Sequence, residues 1–468
     1  MRVAWFSPLP PHRSGIAAYS ADVLARLNGH AIDAFVDDTS GQEATGRVAP
    51  VPGVAIRGAH EFVWRQARRA YDVVAYHLGN GTAHDYMWPS LVRHPGLVVL
   101  HDAQLHQSRA QALIRQRREA DYAAEFAYSH PGVSPLLADL VVAGLGATLC
   151  YFWPMVRVPV EAARLLAVHS PSLAEDLKDR FPDREIVRLH MGVPDPAVPL
   201  EAAAEVRRRH GIPDGAVVFG SFGRVTPEKG LTAVLRALAH VARSVPNLRI
   251  LTVGEPVTYY DLMAQARELG VAGCLVEAGY VPDEELPAYL AAVDVCLNLR
   301  WPTGRETSAA WLRCLAAGKP TIVTDLVHQT DVPSLDVRSM STAPGGPAGA
   351  DPVCVHIELV DEIPMLRLAL QRLCGDADLR ARLGRAARRY WAEQGTVELM
   401  VREYETLLAR AAAAPDPPRP AGWPAHLTAD GLGLARTLAA EVGVACPLDP
   451  IAAVAARAAG GDGVNEGT

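Results

Sequence analysis

The sequence lacks a basic excess: Lys and Arg total 45 against 52 for Asp and Glu, a net charge of −7 with His neutral. Nucleic-acid binders carry the opposite balance, so no nucleic-acid partner is expected. Paired cysteines are missing too. The seven (Cys150, Cys274, Cys296, Cys314, Cys354, Cys374 and Cys446) are odd in number, scattered and never spaced C-x-x-C, which argues against a zinc knuckle and for reduced thiols. Nothing at the N-terminus resembles a signal peptide, because Pro8, Pro10 and Pro11 interrupt MRVAWFSPLPP after a strand's length. A cytoplasmic location, at most at the inner face of a membrane, is expected. Long apolar runs are likewise absent. The most membrane-like stretch, 140–156, contains Gly144, Gly146 and Pro154 and falls short of the roughly 20 residues that span a bilayer. A buried helix is expected there, with peripheral contact to lipid as the alternative.

What is present is an ordinary globular balance, 49% hydrophobic and 21% charged over 468 residues, enough for two or three domains with their own cores. Short apolar runs at 3–7, 31–37, 71–77 and 96–102 alternate with helical spacing, which predicts a parallel sheet covered on both faces. A helical insertion is expected over 104–166, then strands at 163–170 and 185–192 with a helix between them. Residues 193–205 carry three prolines and read as a linker. A second alternation follows, with strands at 216–224, 249–254, 274–280, 295–300 and 320–325. The expected fold class is therefore α/β, two Rossmann-like domains over 1–195 and 206–395 facing an interdomain cleft. A helix over 396–414 is expected to pack back on the first domain, and 341–352 reads as a flexible loop. Residues 415–468 are expected to be a weakly ordered Pro/Ala-rich tail with one helix at 428–442.

Ligands of such sheets sit beyond the carboxyl ends of the strands, and the polar motifs fall at those places. In GRVTPEKG, Gly223 ends a strand, Arg224 follows, and Lys229 stands where a helix begins. A planar fork, a movable point charge and unpaired helix N–H groups suit a diphosphate. PTGRETSAAWLRCLAAGKP leads a helix in which Thr307 or Ser308 can cap the first turn, with Glu306 placed to accept bonds from sugar hydroxyls. The first strand runs into His12-Arg13-Ser14-Gly15, where glycine admits a ligand close to the backbone. No G-x-G-x-x-G occurs, which disfavours a nicotinamide cofactor. HLGNGTAH and LHDAQLH place His77, Asn80, His84, His101, Asp102 and His106 at strand ends. Metal ligation, acid–base chemistry and contacts to an acceptor compete for them, and without H-E-x-x-H or cysteine partners no metal is expected. The D-x-D of Asp376 and Asp378 lies on a late helix and reads as a solvated face.

The order of these motifs, with V-G-E at 253–255 and a closing G-K-P, resembles the retaining family-4 glycosyltransferases of the GT-B fold over about residues 1–410. The resemblance implies a cytoplasmic enzyme of polysaccharide biosynthesis. It would move a sugar from a nucleotide-diphosphate sugar to a glycan, lipid-linked or small-molecule acceptor, with no cofactor and no metal. It further implies that Arg224 and Lys229 hold the diphosphate, with Gly223 and Gly254 in the same loops, and that Ser14 and Gly15 border the phosphates. His101 would stand near the transferred sugar, and His77, Asn80 and Asp102 toward acceptor or sugar. One departure matters. Counting back from Gly318, the family's two glutamates fall on Arg305 and Arg313, and Glu306 is one position away. The GRETS segment is expected to bring Glu306, with Thr307 and Ser308, to the donor sugar. A nucleotide-sugar epimerase and a degenerate nucleotide-sugar-binding protein are the rival readings.

Overall fold

The computed structural model describes residues 1–37, 48–324, 332–343, 350–429 and 433–443. Asp325, residues 344–349 of the expected loop, Cys446 and the tail from 444 onward lie outside them. The chain divides into two compact units, Met1–Leu189 with Val401–Thr468, and His190–Met400.

Among the described residues the first unit carries seven strands: β1 (Arg2–Phe6), β2 (Ala31–Val36), β3 (Val54–Gly58), β4 (Val73–Leu78), β5 (Leu97–Leu100), β6 (Leu165–Val168) and β7 (Ile186–Arg188). They form one parallel sheet in the order β3-β2-β1-β4-β5-β6-β7. Every residue of β4 and β5 is buried, as a strand covered on both faces demands. The order reverses direction between β1 and β4, and that switch point is where such a sheet opens a crevice. Ser14 caps the helix Gly15–Leu24, accepting from the Ala17 N–H at 3.2 Å, and so fixes the turn that leaves β1.

Two expectations fail in this unit. Residues 140–156 are not one buried helix. The helix Leu136–Val142 stops, Gly144 turns left-handed (φ 80°), and a 3₁₀ turn follows at Ala147–Tyr151. A side chain at Gly146 would meet Val141 Cγ2 at 2.6 Å, so the reversal is packed against the helix it ends. Leu136, Val142, Leu145 and Phe152 are left exposed. Residues 415–429 are also no loose tail: Trp423 and Leu427 are buried in the first unit's core. The Trp423 indole donates to Glu161 Oε2 at 2.9 Å, His426 Nε2 lies 2.6 Å from Glu125 Oε1, and Arg164 pairs with Asp416. Burial pushes the Glu125 carboxyl up, but hydrogen bonds from Arg109 and His426 outweigh it and hold the group below the usual range.

Among the described residues the second unit has eight strands: β8 (Val217–Phe222), β9 (Leu248–Val253), β10 (Leu275–Gly279), β11 (Val295–Asn298), β12 (Thr321–Thr324), β13 (Ser334–Asp336), β14 (Ser341–Thr342) and β15 (Cys354–Ile357). Their order is β10-β9-β8-β11-β12-β15-β13-β14, parallel except for the β13/β14 pair. One face packs under the helices Leu231–Val241 and Glu362–Gly375. The other is covered by Leu286–Ala292 and by a helix at Leu200–Arg209, where a linker was expected. Val206 is buried there and Ala203 packs beside it, so the helix has an apolar face that the preceding prolines mask in the sequence. Residues 193–195 are tied down as well: Val193 N–H donates to Gly395 O at 2.9 Å, and the Trp391 indole donates to Val193 O at 3.2 Å. Asp376 of the D-x-D caps the helix Ala377–Gln394 through the Leu379 N–H.

Trp423→Ala is expected to cost the first unit about 3 kcal/mol, the usual loss for emptying a buried indole site. The measurement is the urea midpoint together with amide exchange in Glu119–Ser129, and an unmoved midpoint shows that the C-terminal segment contributes nothing.

Candidate functional site

The switch point of the second sheet lies between β8 and β11, and the chemistry-bearing residues of this unit gather at the carboxyl ends of those two strands. β8 runs into Gly223, whose φ of 91° is open to glycine at little cost. Gly254, at the end of β9, is demanded by packing: a Cβ there would lie 2.2 Å from Gly223 O. Its place is thus to let the β9 end support the Gly223 turn. Arg224 extends from this turn as an exposed side chain.

Lys229 folds back against it. Its ammonium donates to Phe222 O at 2.8 Å, and a Cβ at Gly223 would stand 3.4 Å from Lys229 Nζ. Burial, joined by repulsion from Arg300 and opposed by Glu306, lowers the Lys229 pKa to about 7. Gly230, left-handed at φ 65°, starts the helix Leu231–Val241, and no side chain caps that N-terminus. The site therefore combines a cation of reduced proton affinity with a positive helix end, an arrangement that favours an anion.

β11 supplies the other wall. Arg300 follows its end, with its backbone N–H donating to Thr324 Oγ1 at 2.8 Å. Its Nε lies 2.8 Å from Glu306 Oε1, and Thr303 donates to Glu306 Oε2 at 3.2 Å. Arg305 adopts a left-handed φ of 57° and is exposed, whereas the Glu306 side chain keeps only 17% of its exposure. Of the two candidate caps, Ser308 accepts from Trp311 N–H at 3.2 Å at the head of Ala309–Ala316; Thr307 is half-buried beside it. Arg313 approaches Asp283 at 4.0 Å. Sequence reasoning missed Arg300. Its position just past a strand end was the available signal.

In the first unit the expected polar residues separate into distinct networks. His77 Nδ1 and His101 Nε2 are 3.1 Å apart, His101 Nδ1 and His169 Nε2 3.3 Å, and His169 Nδ1 and Leu189 O 2.9 Å. Burial, with repulsion from His169, keeps His77 and His101 well below the usual imidazole range, so these rings are neutral. A carbonyl only accepts. His169 therefore donates from Nδ1, His101 donates from Nδ1 to His169, and His77 donates from Nδ1 to His101. Trp5 stacks on His77 at 4.3 Å and Tyr19 meets His101 edge-on at 4.6 Å, while Tyr19 and Tyr404 share a hydroxyl contact of 2.7 Å. The expectation of His101 as an acid–base group does not fit this chain, because both its nitrogens are bonded to other imidazoles.

Asn80 and Asp102 stitch loops together: Asp102 Oδ2 accepts from the Asn80 N–H at 2.6 Å, and Asn80 Oδ1 accepts from the Ser108 N–H at 3.0 Å. His84 Nδ1 donates to His77 O at 2.8 Å, with burial lowering its pKa to about 4, and His106 turns away to Tyr122. Ser14 and Gly15 stand after β1, at this sheet's own switch point. A side chain at Gly15 would meet nothing within 4 Å, so packing of the protein does not require glycine there. No group of three or more His, Cys, Asp or Glu among the described residues is placed to hold a metal ion. No helix among them is long and apolar enough to cross a membrane.

Comparison with known proteins agrees with this geometry. Residues 203–332, which hold β8 through β12 and the loops just described, match the family Glycosyl transferases group 1. The chain is 32% identical over 160 residues to a 2-deoxystreptamine glucosyltransferase of Streptomyces kanamyceticus, covering 33% of this chain and 41% of that one. It is 29% identical over 272 residues to a D-inositol 3-phosphate glycosyltransferase of Stackebrandtia nassauensis, covering 53% and 56%. The matches thus span about half the length of these relatives or less. Among solved structures, Anabaena HepE in complex with UDP superposes with a TM-score of 0.58 at 14% identity, over 87% of this chain and all (100%) of that one. WaaG, a glycosyltransferase of lipopolysaccharide biosynthesis, gives 0.56 at 16% identity over 86% and 99%. The two doubly wound units are the Rossmann-like domains of the GT-B glycosyltransferase fold, the second carrying the group 1 segment.

Proposed function

We propose that the protein is a glycosyltransferase of hexosyltransferase type that takes its donor as a nucleotide-diphosphate sugar. The observation that carries this reading is the meeting of Lys229, the Gly223 turn and an uncapped helix N-terminus at the switch point of the second sheet, within the segment that matches group 1 glycosyltransferases. Lys229 and the helix end take the diphosphate, and Arg224 reaches it from the exposed side. Glu306, turned inward by the left-handed Arg305, accepts from hydroxyls of the donor sugar in place of the missing first glutamate. HepE binds UDP and UDP-glucose, which makes a uridine donor the first to try.

Transfer proceeds with retention in this reading. The bond from the sugar's anomeric carbon to the diphosphate oxygen breaks, the acceptor hydroxyl oxygen bonds to that carbon on the same face, and its proton passes to the departing phosphate. Cationic side chains disperse the leaving charge, so no metal is needed. In the first unit the neutral imidazole chain holds His101 and the adjoining Asp102 turn in position. Exposed Leu136, Val142, Leu145 and Phe152 support a lipid-linked acceptor met at a membrane surface. A synthetic role in glycan or glycolipid assembly at the cytoplasmic face follows from that choice.

The direct test is a thermal-shift screen of UDP, GDP and ADP and their sugars in EDTA buffer. Stabilisation by one nucleotide series is expected, and turnover with a matching acceptor without added metal. Donor converted to an epimer with no acceptor present, or tight binding without turnover, establishes a rival reading.

Lys229→Ala is expected to lower kcat/KM by an amount worth about 2 to 5 kcal/mol, the usual cost of truncating a buried charged contact. Arg224→Ala costs less, because the side chain is exposed. Wild-type rates in Lys229→Ala overturn the assignment.

The pH dependence has a definite sign. With its pKa near 7 in the free protein, Lys229 is increasingly neutral above that value, and the diphosphate pairs with the charged form. A phosphate with a last pKa of about 6 is almost fully ionised above about pH 7, so the ligand's own charge changes little over that range. Affinity for it is therefore expected to fall as pH rises from 7 to 9, toward about tenfold per unit at the upper end, with proton uptake on binding. Titration calorimetry across that range checks this, and Lys229→Met is expected to remove the slope.

A further inference from the structure

The pairing of Arg300 with Glu306 has a consequence for how the site fills. Arg300 stands just past β11, the strand beside β8, with its backbone anchored to the end of β12 through Thr324. It lies close enough to Lys229 to repel it, so two cations share the mouth of the site with the carboxylate of Glu306. Both oxygens of that carboxylate are in use, one by Arg300 Nε at 2.8 Å and the other by the Thr303 hydroxyl at 3.2 Å. While the pair persists, Glu306 is held to Arg300 and Thr303, with one lone pair left on each oxygen. The side chains are only partly covered, at 25% and 17% exposure, and the segment 303–308 between β11 and the next helix is irregular, so the pair is accessible to a ligand and free to rearrange.

We infer that Arg300 is a third anion-binding group of this site, for which Glu306 is a placeholder. When a nucleoside diphosphate enters, the guanidinium exchanges the carboxylate for a phosphate oxygen, and Glu306 is released to accept from the donor sugar. The inference rests on the diphosphate reading of the site. A guanidinium suits the exchange because its planar fork pairs with carboxylate and phosphate by the same geometry, and a doubly or triply charged ligand outbids a single carboxylate for it. Sugar recognition is then conditional on the diphosphate: a free sugar meets a Glu306 already occupied, and the intact donor meets one that its own phosphates have unmasked.

Titration calorimetry with UDP, and with GDP and ADP run beside it, tests this in the full-length wild type, Glu306→Gln, Arg300→Gln and the double variant. Glu306→Gln is expected to bind the diphosphate more tightly than wild type, by about threefold or more, because the competing carboxylate is gone. Arg300→Gln is expected to bind about tenfold more weakly. In the double variant the gain from Glu306→Gln is expected to vanish. A gain that persists without Arg300 reflects plain removal of a negative charge and overturns the exchange, as does Glu306→Gln binding no better than wild type. Arg300→Lys, which keeps charge and loses the fork, is the second variant and is expected to retain part of the gain. Wild type binding none of UDP, GDP and ADP overturns the reading of the site itself; wild type binding one of them with no gain in Glu306→Gln overturns only the exchange.

Discussion

The contact between the Lys229 ammonium and the carbonyl of Phe222 is the interaction on which the candidate site depends. It places a cation at the end of β8, beside the left-handed Gly223 turn, where protein atoms have displaced much of the water that stabilises charge. A carbonyl dipole and one shared carboxylate compensate only in part, so the ammonium holds its proton weakly. An arriving anion supplies what is missing. The uncapped start of Leu231–Val241 acts in the same sense, since its free N–H groups have no side-chain partner. The binding preference of this unit is thus a property of incomplete compensation, built from a strand end, a glycine and a helix start.

The first unit handles its polar residues in the opposite way. Its three buried imidazoles pair in a row that ends on the Leu189 carbonyl, with no hydrogen-bond partner for His77 Nε2 at the other end among the described residues, and aromatic rings pack against them. Protonating any of them would put a charge into a site with no carboxylate among the partners described. Such a network serves geometry: it locks ring orientation and, through Asp102 and Asn80, the loops beyond β4 and β5. The second unit thus carries an incompletely compensated cation, whereas the first pairs its buried imidazoles with one another. The same unit is completed from the far end of the chain, where Trp423 and His426 satisfy the buried carboxylates Glu161 and Glu125.

Several elements that the sequence did not reveal share a cause. β3 is a half-exposed edge strand carrying Arg57, and β13 and β14 are only three and two residues long, so none shows a continuous apolar run. The helix Leu200–Arg209 follows prolines that read as a linker, and its apolar side consists of little more than Ala203 and Val206. The segment around Trp423 has the composition of a loose tail, yet a single indole with a buried acceptor is enough to dock it. In each case the residues are ordinary by themselves, and burial is conferred by something distant.

The site divides along the same line. Gly223, Arg224, Lys229, Glu306 and Ser308 could be picked out from the sequence as candidates because a turn glycine, a nearby cation and a helix cap are local features. The alternation of apolar runs with helices fixed the two parallel sheets for a similar reason, since strand burial and helix periodicity are written into neighbouring residues. Partnership was not legible. That His101 is flanked by His169, and that Gly254 is held to glycine by the Gly223 carbonyl, depend on which strands lie side by side. Strand order is set by long-range packing, and no window of sequence contains it.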